Sequence, residues 1–241
     1  MLSHDAGYMA MCMDLNKYFK QVLVVLLATG WMSFASAVEP DESDVCSPFR
    51  DGKVDEALVA DMLEAADSGY LYRIRQDTSQ VGFCVSSGWT RIKGDFRNFS
   101  GGLALVPESR HTEPAEQAMV IIQTASLDTR SSVVEDIIRG EGFFDVAHFP
   151  EILFVSNGFE WTGEDSARIF GDLTVRGITR AVVFNVTLTP LHQEGNGTVE
   201  RMQVKASTTI NRSDFNMDSM SGLVSDTVTL CMSVEAVRYR G

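Results

Sequence analysis

From Tyr70 onward, apolar and polar positions alternate with a period of two. Val81, Phe83 and Val85 alternate with Gly82, Cys84 and Ser86, and Leu103 and Leu105 flank Ala104. Val182, Phe184, Val186 and Leu188 alternate with Val183, Asn185 and Thr187. The same pattern runs through Val204 to Ile210 and Val228 to Val234. A strand turns successive side chains to opposite faces, so each run predicts a half-buried strand with one apolar face. Turn signals separate the runs: Ser87-Gly88, Gly101-Gly102, Asn157-Gly158, Arg176-Gly177 and Gly195-Asn196-Gly197. The expected class is all-β and antiparallel, with roughly eight or more strands. Periodicity alone leaves a sandwich and a closed barrel both open.

Two segments carry a helical period instead. Asp55 to Asp67 (DEALVADMLEAAD) places Leu58, Met62 and Ala65 on one stripe, with Asp55 as a candidate N-cap and Gly69 as a stop. Ser132-Val-Val-Glu135 has capping-box spacing, and Gly140 ends that element. It is the one short helix inserted among the strands.

The N-terminal segment reads as an address. Lys17 and Lys20 precede the apolar stretch Gln21 to Phe34, and Ala35-Ser36-Ala37 offers small residues at a cleavage site. Residues 1–37 are expected to be a secretory signal cleaved after Ala37, with Met9, Met11 or Met13 as alternative starts. Residues 38–69 form an acidic N-terminal extension with the short helix, and 70–241 the β-domain. No apolar run is long enough for a confident membrane span, so the processed chain is not expected to cross a bilayer.

Charge and cysteine usage narrow the function. The 241 residues are 44% hydrophobic and 22% charged, with a net charge of −13. The expected signal holds two basic residues (Lys17, Lys20) and two acidic ones (Asp5, Asp14), so the exported chain keeps that charge. A surface this acidic repels phosphate backbones, and nucleic acid is excluded as a natural partner. Cys12 leaves with the signal, and Cys46, Cys84 and Cys231 remain. No CxxC pair occurs, which removes local support for a redox or zinc-ribbon site. The histidines His111, His148 and His192 are scattered, and HExxH, GxSxG, P-loop and GxGxxG motifs are all missing. The expectation is a non-enzyme with no metal and no cofactor. A secreted hydrolase on a β-scaffold is the alternative, and a stress-related interaction module without a transported lipid is a third reading.

What the β-region does hold is phenylalanine. Such rings either fill a solid core or line the lumen of a barrel. Four segments tilt the choice. They are Tyr72 to Phe99 with its Gly94-Asp95-Phe96; Ser126 to Thr129, followed by Gly142-Phe-Phe-Asp145, Phe149-Pro150 and Phe154-x-Ser156; Gly171 to Arg180 (GDLTVRGITR); and Asn211-Arg-Ser-Asp-Phe215. In this order, over about Tyr70 to Val237, they resemble the YceI-like family of periplasmic lipid-binding proteins.

The resemblance implies an extended lipocalin-like barrel without catalytic activity, exported to the periplasm. It implies a lumen that holds a long-tailed amphiphile: a polyisoprenoid, a quinone or a similar lipid. A homodimer stays open. By strand parity and motif, the expected ligand-binding residues are Phe83, Val85, Phe143, Phe144, Phe154, Leu173, Phe184, Ile210, Phe215 and Leu230. Arg212 and Asp214 are candidates to orient a polar head, or else to tie strand ends together. One feature departs from the family pattern: Asn216 stands where the family often has glycine, and asparagine tolerates a left-handed backbone better than most residues. If the first and last strands meet, Cys84 and Cys231 are candidates for a bridge across the seam, with Cys46 as the rival partner of either.

Overall fold

The computed structural model describes residues 56–88, 90–105, 116–193 and 198–240. The expected signal segment, Cys46 and the Gly195-Asn196-Gly197 turn lie outside the described residues. Helix α1 (Glu56–Asp67) precedes the strands β1 (Leu71–Ser87), β2 (Thr90–Phe96), β3 (Phe99–Ala104), β4 (Gln117–Gln123) and β5 (Leu127–Thr129). Helix α2 (Ser132–Arg139) is followed by β6 (Glu151–Trp161), β7 (Ser166–Val175), β8 (Ile178–Gln193), β9 (Val199–Asn211) and β10 (Val224–Arg238). Short 3-10 turns sit at Thr124–Ser126 and Arg212–Phe215.

The ten strands form one antiparallel sheet that closes when β10 pairs with β1. β2 and β3 run end to end along β1, and β5 and β4 run end to end along them. The barrel therefore has eight positions around its wall. Closure removes both sheet edges, which is how an all-β chain of this kind avoids edge-to-edge aggregation. The choice between sandwich and barrel is thus made by the β1–β10 seam, a pairing between residues such as Phe83 and Leu230 that no local period reveals.

Two expected turns prove to lie inside strands. Gly101-Gly102 belongs to β3, where a Cβ on Gly101 would stand 2.3 Å from the Met119 carbonyl oxygen of β4. Glycine is there because two backbones nearly touch, not because the chain reverses. Asn157-Gly158 is a β-bulge within β6, where the register with β7 shifts between Ser156 and Gly158. At that bulge the Ala118 N–H of β4 donates to Ser156 Oγ at 2.7 Å, so a side chain extends the ladder. Arg176-Gly177 does turn: φ of 52° and 68° closes the two-residue β7–β8 hairpin.

The inserted helix is displaced by one residue at its start. The N-cap is Ser131 rather than Ser132, with its Oγ accepting from the Val134 N–H at 3.5 Å. Glu135 reaches back to accept from the Thr129 N–H at 3.1 Å and pairs with Arg139 at 2.9 Å. Helix α1 packs against β1 and β3 from outside, with Met62 and Ala65 buried and the Met62 methyl near Gly102.

Candidate functional site

The inward faces of the strands do not meet in the middle. They enclose a cavity of about 340 Å³. Parity and motif predict this lining: Phe83 and Val85 on β1, Phe154 on β6, Leu173 on β7, Phe184 on β8, Ile210 on β9 and Leu230 on β10 all face it. Phe143 and Phe144 reach it from the tight loop after α2, whose turns are held by Phe143 N–H to Gly140 O and Phe144 N–H to Ile138 O, both 3.0 Å. Ile210, Leu230 and Met232 line the cavity and stay only half-buried, packed against the core cluster on one side and the open space on the other.

Some rings pack against each other and so shape the hollow. Phe83, Phe96 and Phe144 form a cluster with centroids 5.6–6.1 Å apart. Phe154 and Phe184 meet edge-on at 5.0 Å across β6 and β8. Such tilted contacts are the favoured aromatic geometry and leave a fixed, apolar wall. Core and lumen are therefore both present: paired rings build the wall, and the space lies between the pairs.

One end of the barrel is capped by helix α2 and by the segment after the Arg212–Phe215 turn. Helix α2 contributes Val134, Ile137 and Ile138 to the lining, and the segment after the Arg212–Phe215 turn contributes Met217 and Met220. The two loops touch: a Cβ at Gly142 would meet Ser219 Oγ at 2.0 Å. At this end Val133, Ile137, Met220 and Leu223 are exposed apolar side chains. Near the far end of β1, the buried Tyr72 hydroxyl donates to Val199 O at 3.0 Å, and Arg238 Nε donates to Gly69 O at 2.6 Å.

Among the described residues, Arg212 is the one charged residue in the lining. It is 4% exposed. Its Nε donates to Ser225 O (3.1 Å), Nη1 to Ser219 O (2.8 Å) and to Met217 O, and Nη2 to Val224 O (3.2 Å). Its guanidinium lies 5.7 Å from the Phe143 ring centre. Of the two roles expected for this residue, the strand-end clasp is the one these bonds describe. Asn216 adopts the left-handed backbone (φ 56°, ψ 32°) that ends the turn, and its N–H returns to Ser213 O at 3.0 Å. The turn survives without glycine.

Three expectations are corrected by placement. Phe215 is only 1% exposed but packs in the turn and does not line the cavity. Asp214 is exposed and also absent from the lining. The Cys84–Cys231 bridge is not formed. Both cysteines do lie on the two seam strands, but Cys84 stands opposite Thr229 and Cys231 opposite Gly82. They are diagonal neighbours on one face of the seam. Among the residues that parity did not single out, Val134, Ile137 and Met220 matter most. Their signal was the apolar side of α2 and the methionines after the Asn211–Phe215 motif, but a lining role depends on the cap folding over the barrel end.

Two carboxyls of the barrel wall are raised from their ordinary values. Burial pushes Asp172 up from its ordinary value, against a weak 3.4 Å hydrogen bond from Asn157. Burial also raises Asp95, opposed chiefly by Lys93 at 3.6 Å. Among the described residues no group of three His, Cys, Asp or Glu is placed to hold a metal. No helix among them is long and apolar enough to cross a membrane.

A closed antiparallel barrel around an apolar lumen defines a lipocalin-like class of architecture. The chain belongs to the YceI-like domain family, whose family model matches residues 72–236. A UPF0312 protein of Pseudomonas putida is 35% identical over 153 residues, covering 64% of this chain and 77% of the relative. A UPF0312 protein of Ectopseudomonas mendocina is 30% identical over 183 residues, covering 76% and 93%. Among solved structures, Burkholderia cenocepacia BcnA is similar with a TM-score of 0.60 at 23% identity, covering 68% of this chain and 99% of that one. A polyisoprenoid binding domain from Saccharophagus degradans, implicated in plant cell wall breakdown, is similar with a TM-score of 0.53 at 17% identity, covering 69% and 98%. At these identities the structural likeness is one of fold.

Proposed function

We propose that this protein is an exported, periplasmic carrier or buffer that holds the tail of a long-chain amphiphile in its barrel lumen. The amphiphile is a polyisoprenoid, a quinone or a similar lipid. The observation that carries the reading is the lining itself: a cavity of about 340 Å³ whose described walls are apolar apart from Ser87 and Arg212. Among the described residues of those walls the side chains are aliphatic and aromatic for the most part, which favours binding over the hydrolase alternative.

Magnitudes support a tail-driven mode. Burial of hydrocarbon yields ~0.8 kcal/mol per carbon unit, so one isoprene contributes roughly 3–4 kcal/mol. Association costs ~4–15 kcal/mol in lost freedom. A few isoprene units overcome that cost, while one headgroup hydrogen bond of about 1–3 kcal/mol only adjusts it. Native mass spectrometry and organic extraction of gently purified protein test the reading. Bound lipid, or uptake of prenyl ligands offered to the stripped protein, is the expected result. Protein that carries none and accepts none defeats it.

A further inference from the structure

We propose that the capped end of the barrel docks on a zwitterionic lipid surface, so that a tail passes between bilayer and lumen without crossing water. The inference rests on the carrier reading above and concerns the partner from which the ligand comes. Four large apolar side chains stand exposed at that end: Val133 and Ile137 of α2, and Met220 and Leu223 of the segment before β10. Two of them, Ile137 (39% exposed) and Met220 (46%), also line the cavity. A side chain that borders both solvent and lumen marks a lip, so the patch lies at an opening. Ser87 of β1 is likewise exposed and part of the lining, and its Oγ donates to Leu223 O at 3.2 Å, which ties the lip to the barrel wall.

Local sequence builds this lip. Helix α2 carries Val133, Val134, Ile137 and Ile138 as one apolar face, wider than the barrel covers. Ile138 is buried and Val134 is half-buried against the core, while Val133 and Ile137, one turn apart, are left in water. Met220 sits in the left-handed region at φ 56°, a strained backbone for a residue other than glycine. Its carbonyl accepts from the N–H groups of both Leu223 and Val224 at 3.0 Å, and Gly222 (φ 89°) lies within the same turn. The turn thus holds two apolar side chains out on a fixed backbone.

A lipid surface suits the lip better than a second copy of the chain. Four apolar side chains, none more than 69% exposed, fall well short of the ~800 Å² per partner that a specific dimer buries. A bilayer interface asks for no matching shape and takes apolar side chains from one face of a helix. The neighbouring charges choose the kind of surface. Asp136 and Asp218 are exposed beside the patch, and Arg130 is the exposed cation leading into α2. Arg139 pairs with Glu135, and Arg212 is buried with its N–H groups on four carbonyls. Without a basic cluster among these residues, and with a net charge of −13, the chain gains nothing from anionic lipid. The attraction is apolar, and salt does not screen it.

Flotation with phosphatidylcholine vesicles free of any prenyl ligand tests the docking. The exported protein is expected to float at low and at high salt. Val133 and Leu223 do not line the cavity, so the double variant Val133→Glu, Leu223→Glu alters the lip and leaves the lumen alone. It is expected to bind vesicles roughly tenfold more weakly or worse, while its melting and its uptake of geranylgeraniol stay as in the wild type. Leu223→Glu alone is read if the double variant unfolds. Leu191→Glu, at an exposed apolar position of β8 outside the cavity lining, is expected to float normally. Wild-type protein that stays out of the vesicle fraction, lip variants that float as well as it does, or a Leu191→Glu variant that floats as poorly as they do, each overturns the proposal. So does a wild-type dimer that the lip variants turn into monomers while neither form floats, which assigns the patch to a second copy. Flotation needs no ligand, so uptake without flotation defeats the docking alone, and flotation without uptake defeats the carrier reading alone.

Discussion

Arg212 and Phe143 face each other 5.7 Å apart at the capped end of the barrel, the one arriving from the turn after β9 and the other from the loop after α2. The contact joins two segments about 70 residues apart in sequence. Arg212 also gathers the carbonyls of Met217, Ser219, Val224 and Ser225 around one planar group. Truncation to Ala strands those buried acceptors, each costing ~1–3 kcal/mol when unsatisfied. Arg212→Ala is expected to lose at least about 3 kcal/mol of stability by urea denaturation. Arg212→Lys is expected to recover less than half, because an ammonium cannot reach four carbonyls in one plane. Equal stability of Lys and Arg would show that the clasp is not what fixes the cap.

Gly171, within the GDLTVRG segment, has no room for a methyl. A Cβ there would stand 2.3 Å from Val155 O and 2.7 Å from the Phe154 ring. The carbonyl belongs to the paired strand and cannot swing away. Gly171→Ala is therefore expected to destabilise by roughly 1–3 kcal/mol, the usual range for overpacking. Phe154 would be driven from its edge-on contact with Phe184 into the lumen, so ligand capacity should fall as well. Thermal melts with and without a prenyl ligand measure both effects. A variant with wild-type melting and uptake would refute the close approach.

Asp172 gives the pH dependence a definite sign. Burial raises its folded value, so the folded chain holds the proton more firmly than the unfolded chain does. Stability from this group is present below the unfolded carboxyl range and is lost as pH rises through the raised value. Asp172→Asn removes the loss. The stability difference between variant and wild type should therefore grow in the variant's favour from pH 4 toward neutrality, read from urea midpoints at several pH values. A difference that is flat across that range would mean the carboxyl titrates normally.

How much of this was legible in the sequence follows from which forces are local. Alternation along β1, β8, β9 and β10 set the inward face, and the seven strand residues chosen by parity and motif do line the cavity. Parity works because one face of each strand must leave water. Phe215 escaped the same logic because it sits in a 3-10 turn, where no two-residue period applies. Gly101-Gly102 and Asn157-Gly158 misled because glycine marks close backbone approach and bulges as readily as turns. Asp214 beside Arg212 looked like a second head-binding group, yet the turn directs it to solvent. The cap over the lumen was invisible, since the contact of Gly142 with Ser219 joins distant segments and leaves no periodic trace.

Tail length offers the most direct reading of the lumen. Within the cavity every added isoprene buries five carbons against aliphatic and aromatic walls, so affinity should climb by roughly several hundredfold per unit. The climb must stop when the space is full, because further units stay in water. About 340 Å³ lies near the lower end of the ~300–1,000 Å³ typical of ligand sites, so the break is expected early in the series. Leu230 faces the open space from β10 and is only half-buried, which leaves room for a larger side chain. Leu230→Trp should thus fill part of the lumen at little cost in stability and move the break toward shorter tails. Affinity for tails below the break should hold, because those still fit beside the new ring. Titration of geraniol, farnesol, geranylgeraniol and longer prenols into both proteins gives the two curves. If affinity rises without a break, or if the tryptophan leaves the break where it was, the tail does not lie in this lumen.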